Sequence, residues 1–301
     1  MRKVAKILCL TLVLMLTAGV LFGCGGQEGN GDNQNGDHQN GEQAESKGTV
    51  NIGYVEWDDC IASTYVMKNV LANEGYDVEI TSVDAGVMWS GIAQGDFDFM
   101  VAAWLPGTHK NYWKEFKDQV VDLGPNFEGA KIGLVVPDYV TIDSIDELNN
   151  VKDKFGGVIT GIEPGAGIMQ ATEEAITEYG LDFELNDSSS AAMAASLERA
   201  ISNEDWIVVT GWNPHWKFAK FDLKYLEDPK GVYGGEEHIN TVARQGLEED
   251  MPGVYSIADN FYWTSEELGP VMVDIKEGMT PDEAAQKFIE NNQELVSDWT
   301  S

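Results

Sequence analysis

Cysteine, lysine and arginine are all scarce in this chain, and each scarcity excludes something. Three cysteines occur in 301 residues: Cys9, Cys24 and Cys60. Cys9 and Cys24 fall in a leader-like segment, which leaves Cys60 alone in the body and excludes a disulfide framework there. Nothing around Cys60 activates a thiol, so it reads as a small packing residue. Lys and Arg number 19 against 51 Asp and Glu, a formal net charge of −32. So acidic a surface repels phosphates, which argues against nucleic acid and against polybasic membrane contact. Catalytic machinery is missing too. There is no His-Glu-x-x-His, no paired Cys/His metal spacing, and no nucleophile elbow around Thr210-Gly211-Trp212. No enzyme, cofactor or metal is expected. Asp58-Asp59 reads as a helix start rather than a catalytic pair.

What is present begins with a secretory pattern over 1–23. Arg2, Lys3 and Lys6 form a basic start, and Ile7–Leu21 is an apolar run of about 15 residues, short for a spanning helix. It ends in Leu21-Phe22-Gly23-Cys24. This resembles a lipobox, which implies that Cys24 is diacylated and anchors the chain on the outer side of the cell membrane. An uncleaved anchor is the other reading; the shortness of the run speaks against it. Residues 24–48 then form a tether. From Gly25 onward it holds no aromatic or β-branched residue, so nothing offsets the entropy of ordering.

The body alternates strands and helices. Val50–Val55, Val78–Val83 and Phe97–Leu105 read as strands; Ile61–Glu74 and Ala85–Gln94 read as helices. The order recurs: Val158–Ile162 and Trp206–Trp212 as strands, Gly167–Tyr179 and Ser189–Ser202 as helices. Trp57 to Trp104 spans 47 residues and Pro164 to Trp212 spans 48. The pattern predicts an α/β fold of two lobes of one design, with ligand in the inter-lobe cleft. Lobe 1 is expected over 49–140 and lobe 2 over 141–235. Residues 236–301 are expected to return to lobe 1 as helices: Pro252–Asn260, Ser265–Glu277 and Pro281–Trp299. In open α/β sheets, ligands bind beyond the carboxyl ends of the strands.

Trp57, Trp104 and Trp212 all stand at such ends. A quaternary ammonium has no N–H to donate, so indole faces are what can hold it, at about 0.5–2 kcal/mol each. Core packing explains three tryptophans equally well, and the pattern alone leaves both open. Trp89, Trp206, Trp263 and Trp299 read as packing residues. The Gly-rich stretch Gly161–Met169 enters a helix whose first amides suit a carboxylate, although such a turn is often only a turn. His109, five residues past Trp104, is a further donor in reach of a cleft. His215 and Trp216 read as bracing a helix start.

Several longer stretches carry a resemblance: NIGYVEWDDCIAS, DAGVMWSGIAQGDFDFMVAAWLPGTHK, GAKIGLVVPDYV, GIEPGAGIM and VTGWNPHWKF. Over nearly the whole body from Val50 onward, the chain resembles the glycine betaine-binding proteins of ABC osmoprotectant importers. The resemblance implies that Trp57, Trp104 and Trp212 form an aromatic prism around a trimethylammonium. It implies that the amides of Gly167 and Ile168, with His109, hold the carboxylate. It implies the two-lobed periplasmic-binding-protein-like fold (type II), a membrane permease as partner and domain closure as the response to ligand. Glycine betaine is the expected ligand, with proline betaine and carnitine close behind. Choline lacks the carboxylate. A sugar-binding protein is the competing class, and rims poor in arginine speak against it.

Overall fold

Uninterrupted apolar sequence marks the strands that lie deepest in a parallel sheet, because helices cover both of their faces. Phe99–Leu105 is the plainest case, with all seven residues buried. The computed structural model describes residues 46–301. The leader over 1–23, Cys24 and nearly all of the tether lie outside the described residues.

The first half runs β1 (Thr49–Tyr54), α1 (Asp58–Asn73), β2 (Asp77–Ser82), α2 (Ala85–Gln94), β3 (Phe99–Leu105), α3 (Lys110–Phe116) and β4 (Val120–Pro137). A 3-10 segment over Ile145–Phe155 leads to β5 (Val158–Thr160), α4 (Gly167–Tyr179), β6 (Glu184–Asn186), α5 (Ser190–Asn203) and β7 (Val209–Asn213). Then come α6 (Lys217–Lys220), β8 (Leu223–Tyr225), β9 (Glu237–Arg244), α7 (Leu247–Asp250), α8 (Pro252–Asn260), α9 (Ser265–Lys276), α10 (Pro281–Asn291) and α11 (Gln293–Trp299).

The strands form one path, β2-β1-β3-β9-β4-β7-β5-β6, with β8 on β4. The two ends of this path repeat one design. β1 pairs in parallel with β2 and β3, and β5 pairs in parallel with β6 and β7. The mixed α/β architecture with its two repeated halves is the one the sequence pattern predicts.

Two strands that the sequence reading left unassigned join the halves. β4 pairs with β9 over Val120–Ala130, then with β7 over Lys131–Val135, and finally with β8. The register of β4 against β9 shifts at several points, one of them between Glu128 and Ala130. Gly129 stands there at φ 79°, a left-handed conformation that glycine adopts without a Cβ clash. Such a bulge bends a strand and lets it leave one half-sheet for the other. Lys131–Pro137, expected with the first half, therefore hydrogen-bonds to the second. The stretch 236–301 likewise opens on a strand, β9, rather than a helix. Its Asn240 and Thr241 are buried in polar contacts, so no apolar run marks it.

The C-terminal helices pack back against α1. Thr264 with Glu267 and Thr280 with Glu283 form capping boxes that start α9 and α10. The single helix expected over Pro281–Trp299 is broken at Asn292. Its backbone leaves the helical region (φ −128°, ψ 41°) while its side-chain amide donates to Phe288 O at 2.8 Å, the local competition with helix geometry that asparagine favours. Trp299 then packs edge-on against Phe261 and stacks with Phe288, which fixes the last helix to the body. Among the described residues, no helix is long and apolar enough to cross a membrane.

Candidate functional site

Each half carries a tryptophan one residue before the end of its third strand, and this places aromatic rings where the halves face one another. Trp104 lies near the end of β3, Trp212 in the corresponding strand β7, and Trp57 precedes α1 just past β1. All three are buried, at 5 %, 3 % and 3 % exposure for Trp57, Trp104 and Trp212. They line one cavity, together with Thr108, His109, Ile132, Ile162, Ala166, Gly167 and Ile168. All six residues singled out in the body by sequence thus lie on one wall-to-wall site. Cys24 lies outside the described residues.

The same lining carries N–H donors. His109 Nδ1 accepts from the Trp104 amide at 3.1 Å and from Trp89 Nε1 at 3.3 Å. A nitrogen that accepts two bonds carries no proton, so the proton sits on Nε2. That Nε2–H is buried and makes no hydrogen bond within the protein. Burial pushes the imidazole pKa down to about 3, so His109 is a neutral donor at ordinary pH. Gly167 and Ile168 supply the first two amides of α4, which have no intrahelical acceptor. Thr108 Oγ1 is a further buried, unpartnered hydroxyl on the wall. Sequence reading passed over it, although it stands beside His109 in the same Leu-Pro-Gly-Thr-His motif.

Glycine at position 167 has a steric cause. A Cβ built there would overlap the carbonyl oxygen and side chain of Thr108, which approach from the other half. Around the same seam, Tyr112 Oη donates to Gly165 O at 2.7 Å and Asn111 Nδ2 donates to Gln170 Oε1 at 2.7 Å. The halves are therefore closed upon each other in this structure.

The cage is wired to the opposite half through carboxylates that the sequence reading did not assign to the site. Trp57 Nε1 donates to Glu163 Oε1 at 2.5 Å, and Trp212 Nε1 donates to Asp59 Oδ1 at 2.9 Å. Asp58 accepts from Trp216 Nε1 at 2.6 Å and from Ser190 Oγ at 3.0 Å, and lies 3.2 Å from His215 Nε2. Burial raises the Asp58 pKa, but its contacts with His215, Trp216 and Ser190 outweigh that and hold it well below the usual range. Asp59 has fewer partners, and burial pushes it up to about 7. Glu163 is raised as well, again chiefly by burial. Asp58-Asp59 does start α1, as expected, and also reaches across the cleft. His215 Nδ1 accepts from the Lys217 amide at 3.1 Å, bracing the start of α6.

Among the described residues, no group of three His, Cys, Asp or Glu side chains converges as a metal site. Cys60 is buried and its thiol is pushed up to about 12 by burial, which leaves it unreactive.

Residues 48–291 match a family model described as the substrate binding domain of ABC-type glycine betaine transport system. The chain is 48% identical over 163 residues to a glycine betaine/carnitine transport binding protein of Listeria monocytogenes. That alignment covers 53% of this chain and 54% of the relative, so it spans about half the length of that protein. Among solved structures, the chain is similar to the lactococcal protein OpuAC in its closed-liganded conformation complexed with glycine betaine. The identity is 45% and the TM-score 0.81, over 84% of this chain and 99% of that one. It is also similar to an ABC-transporter choline binding protein in complex with choline, at 27% identity and TM-score 0.78, over 83% and 91% of the two chains.

Proposed function

Because the chain belongs to the family of substrate binding domains of ABC-type glycine betaine transport systems, we propose that it captures glycine betaine outside the cytoplasm and hands it to an ABC importer. The family is one of transport proteins, so the fold serves capture and delivery rather than chemistry. The observation that carries the choice of ligand is a cavity lined by both indoles and a free donor. Trp57, Trp104 and Trp212 line it with three indoles, and His109 Nε2 is a buried donor without a protein acceptor on the same wall.

A trimethylammonium cannot hydrogen-bond, and stacked indole faces attract it without needing to. A carboxylate needs acceptor-seeking donors, and the amides of Gly167 and Ile168, Nε2 of His109 and the Thr108 hydroxyl are such donors. The ligand's two charges thus match the two kinds of lining group. Because the tryptophans come from both halves, a bound ligand bridges them and favours the closed state. Cys24 is the lipid-bearing residue in this reading, with residues 25–48 as a tether between membrane and body.

A second reading, choline as main ligand, draws on the similarity to a choline-binding structure. Choline has no carboxylate, and its single hydroxyl oxygen cannot serve His109 Nε2 and two helix amides together, a cost of about 1–3 kcal/mol for each buried donor left unpaired. Calorimetric titration of residues 46–301 separates the two. One-to-one binding of glycine betaine, with choline and maltose weak or silent, is the expected result. Heat from choline alone would transfer the proposal to choline. Silence with every quaternary ammonium would reduce the tryptophans to packing.

A further inference from the structure

Lys217 takes no part in the site as described, yet its environment is unusual. Its side chain is fully buried, and Nζ makes no hydrogen bond. Nζ stands 4.1 Å from the centroid of the Trp212 ring. Trp212 lines the cavity, so this amine and the cavity share one indole. A buried ammonium without an acceptor is costly, and burial pushes Lys217 down to about 7 against the opposing pull of Asp58 and Asp59. The nearby carboxylates Asp58 and Asp59 offset part of that cost, and Asp59 is itself bonded to the Trp212 N–H at 2.9 Å. The groups facing Lys217 are thus these two carboxylates, the neighbouring His215 and the aromatic ring.

We propose that Lys217 sets the affinity of the cage: its charge, held over the ring of Trp212, opposes a cationic ligand in the cavity, while Asp59 counters it. An indole attracts a cation at either face through the same quadrupole, so two cations on one ring share its electron density and repel each other across it. Asp59 acts in the opposite sense by drawing on the N–H at the ring's edge. Lys217 is a tuning residue and does not touch the ligand. The proposal rests on the reading that the cavity takes a quaternary ammonium.

The test uses two probes of one shape and different charge. Glycine betaine carries a cationic nitrogen; 3,3-dimethylbutanoate has carbon in its place and keeps the carboxylate. Lys217→Met removes the charge and keeps a long apolar stem. Its affinity for glycine betaine, measured by calorimetry on residues 46–301, is expected to rise roughly 3- to 20-fold, from the screened repulsion of two charges across one ring. Affinity for 3,3-dimethylbutanoate is expected to stay within about 2-fold, because cation repulsion is absent. Asp59→Asn, which keeps an acceptor for the indole, is expected to weaken glycine betaine selectively. An unchanged or weaker glycine betaine affinity in a Lys217→Met protein of native melting temperature overturns the proposal. So does equal tightening of both probes, since that is packing rather than charge. Lys217→Gln carries the same test if the methionine variant melts early. A wild-type protein that ignores glycine betaine removes the functional reading and this inference with it. Binding by wild type with no response in the variants removes this inference alone.

Discussion

The indole nitrogen of Trp212 donates to Asp59 Oδ1 at 2.9 Å although 153 positions separate them in the chain. The arrangement is reciprocal: Trp57, from the first half, donates to Glu163 of the second. Each of these cage rings is therefore oriented only when the halves are closed. Hydrogen bonds to a charged partner contribute about 1.5–3 kcal/mol. Glu163→Ala is expected to weaken glycine betaine by about 1–3 kcal/mol, because Trp57 loses its anchor. Calorimetry checks this, and an unaltered dissociation constant would separate ring orientation from closure.

Trp212→Ala removes a cage face outright. The expected loss is about 1–3 kcal/mol of binding free energy, from cation–π and packing together. An unchanged affinity would take Trp212 out of the site.

Gly167→Ala tests closure itself. The added methyl would overlap Thr108 across the seam, so the halves must stay apart by a few tenths of an ångström or more. Ligand affinity is expected to fall at least about 10-fold while the melting temperature of the ligand-free protein changes little, because packing within each half is untouched. Small-angle scattering with saturating glycine betaine is expected to show a larger radius of gyration than wild type. Full compaction with wild-type affinity would show that the seam tolerates the methyl.

The buried histidines make stability acid-sensitive. Burial lowers His109 to about 3 and, with help from the Lys217 charge, His215 to about 4. The folded state holds both neutral, whereas the unfolded chain protonates them near 6.5. Their contribution is thus complete above pH 6.5 and is lost as pH falls toward 4 and then 3. Below pH 6.5 each costs up to about 1.4 kcal/mol per pH unit. In urea unfolding at pH 7 and pH 5, His109→Gln is expected to lose less stability than wild type, by up to about 2 kcal/mol. Equal losses would mean that His109 is protonated in the fold.

Lipid attachment has its own test. Cells expressing the full chain are expected to label the protein with radioactive palmitate, and Cys24→Ser is expected to abolish the label. Labelling that survives this substitution would leave the lipobox reading without support.

Much of the architecture follows from local pattern. Helix α2 and helix α4 stand where glycines and apolar periodicity place them, and the repeated spacing of Trp57–Trp104 and Pro164–Trp212 announces two halves of one design. Strand β9 was silent because its buried residues include Asn240 and Thr241, which bond to partners far off in sequence. Strand β4 was silent because Pro125 and two glycines interrupt its pattern where it bends.

By itself the sequence determined which side chains could face a ligand: aromatic rings at strand ends, a glycine opening a helix, a histidine after Pro-Gly-Thr. Those are matters of residue type and spacing, and they are local. Only the tertiary structure decided what stands behind them. That Trp57 leans on Glu163 and Trp212 on Asp59 depends on how two halves meet. Charges and donors separated by a hundred residues have no mutual periodicity. Their pairing is fixed only when burial removes water and leaves each group to find the partner that folding brings within about 3 Å.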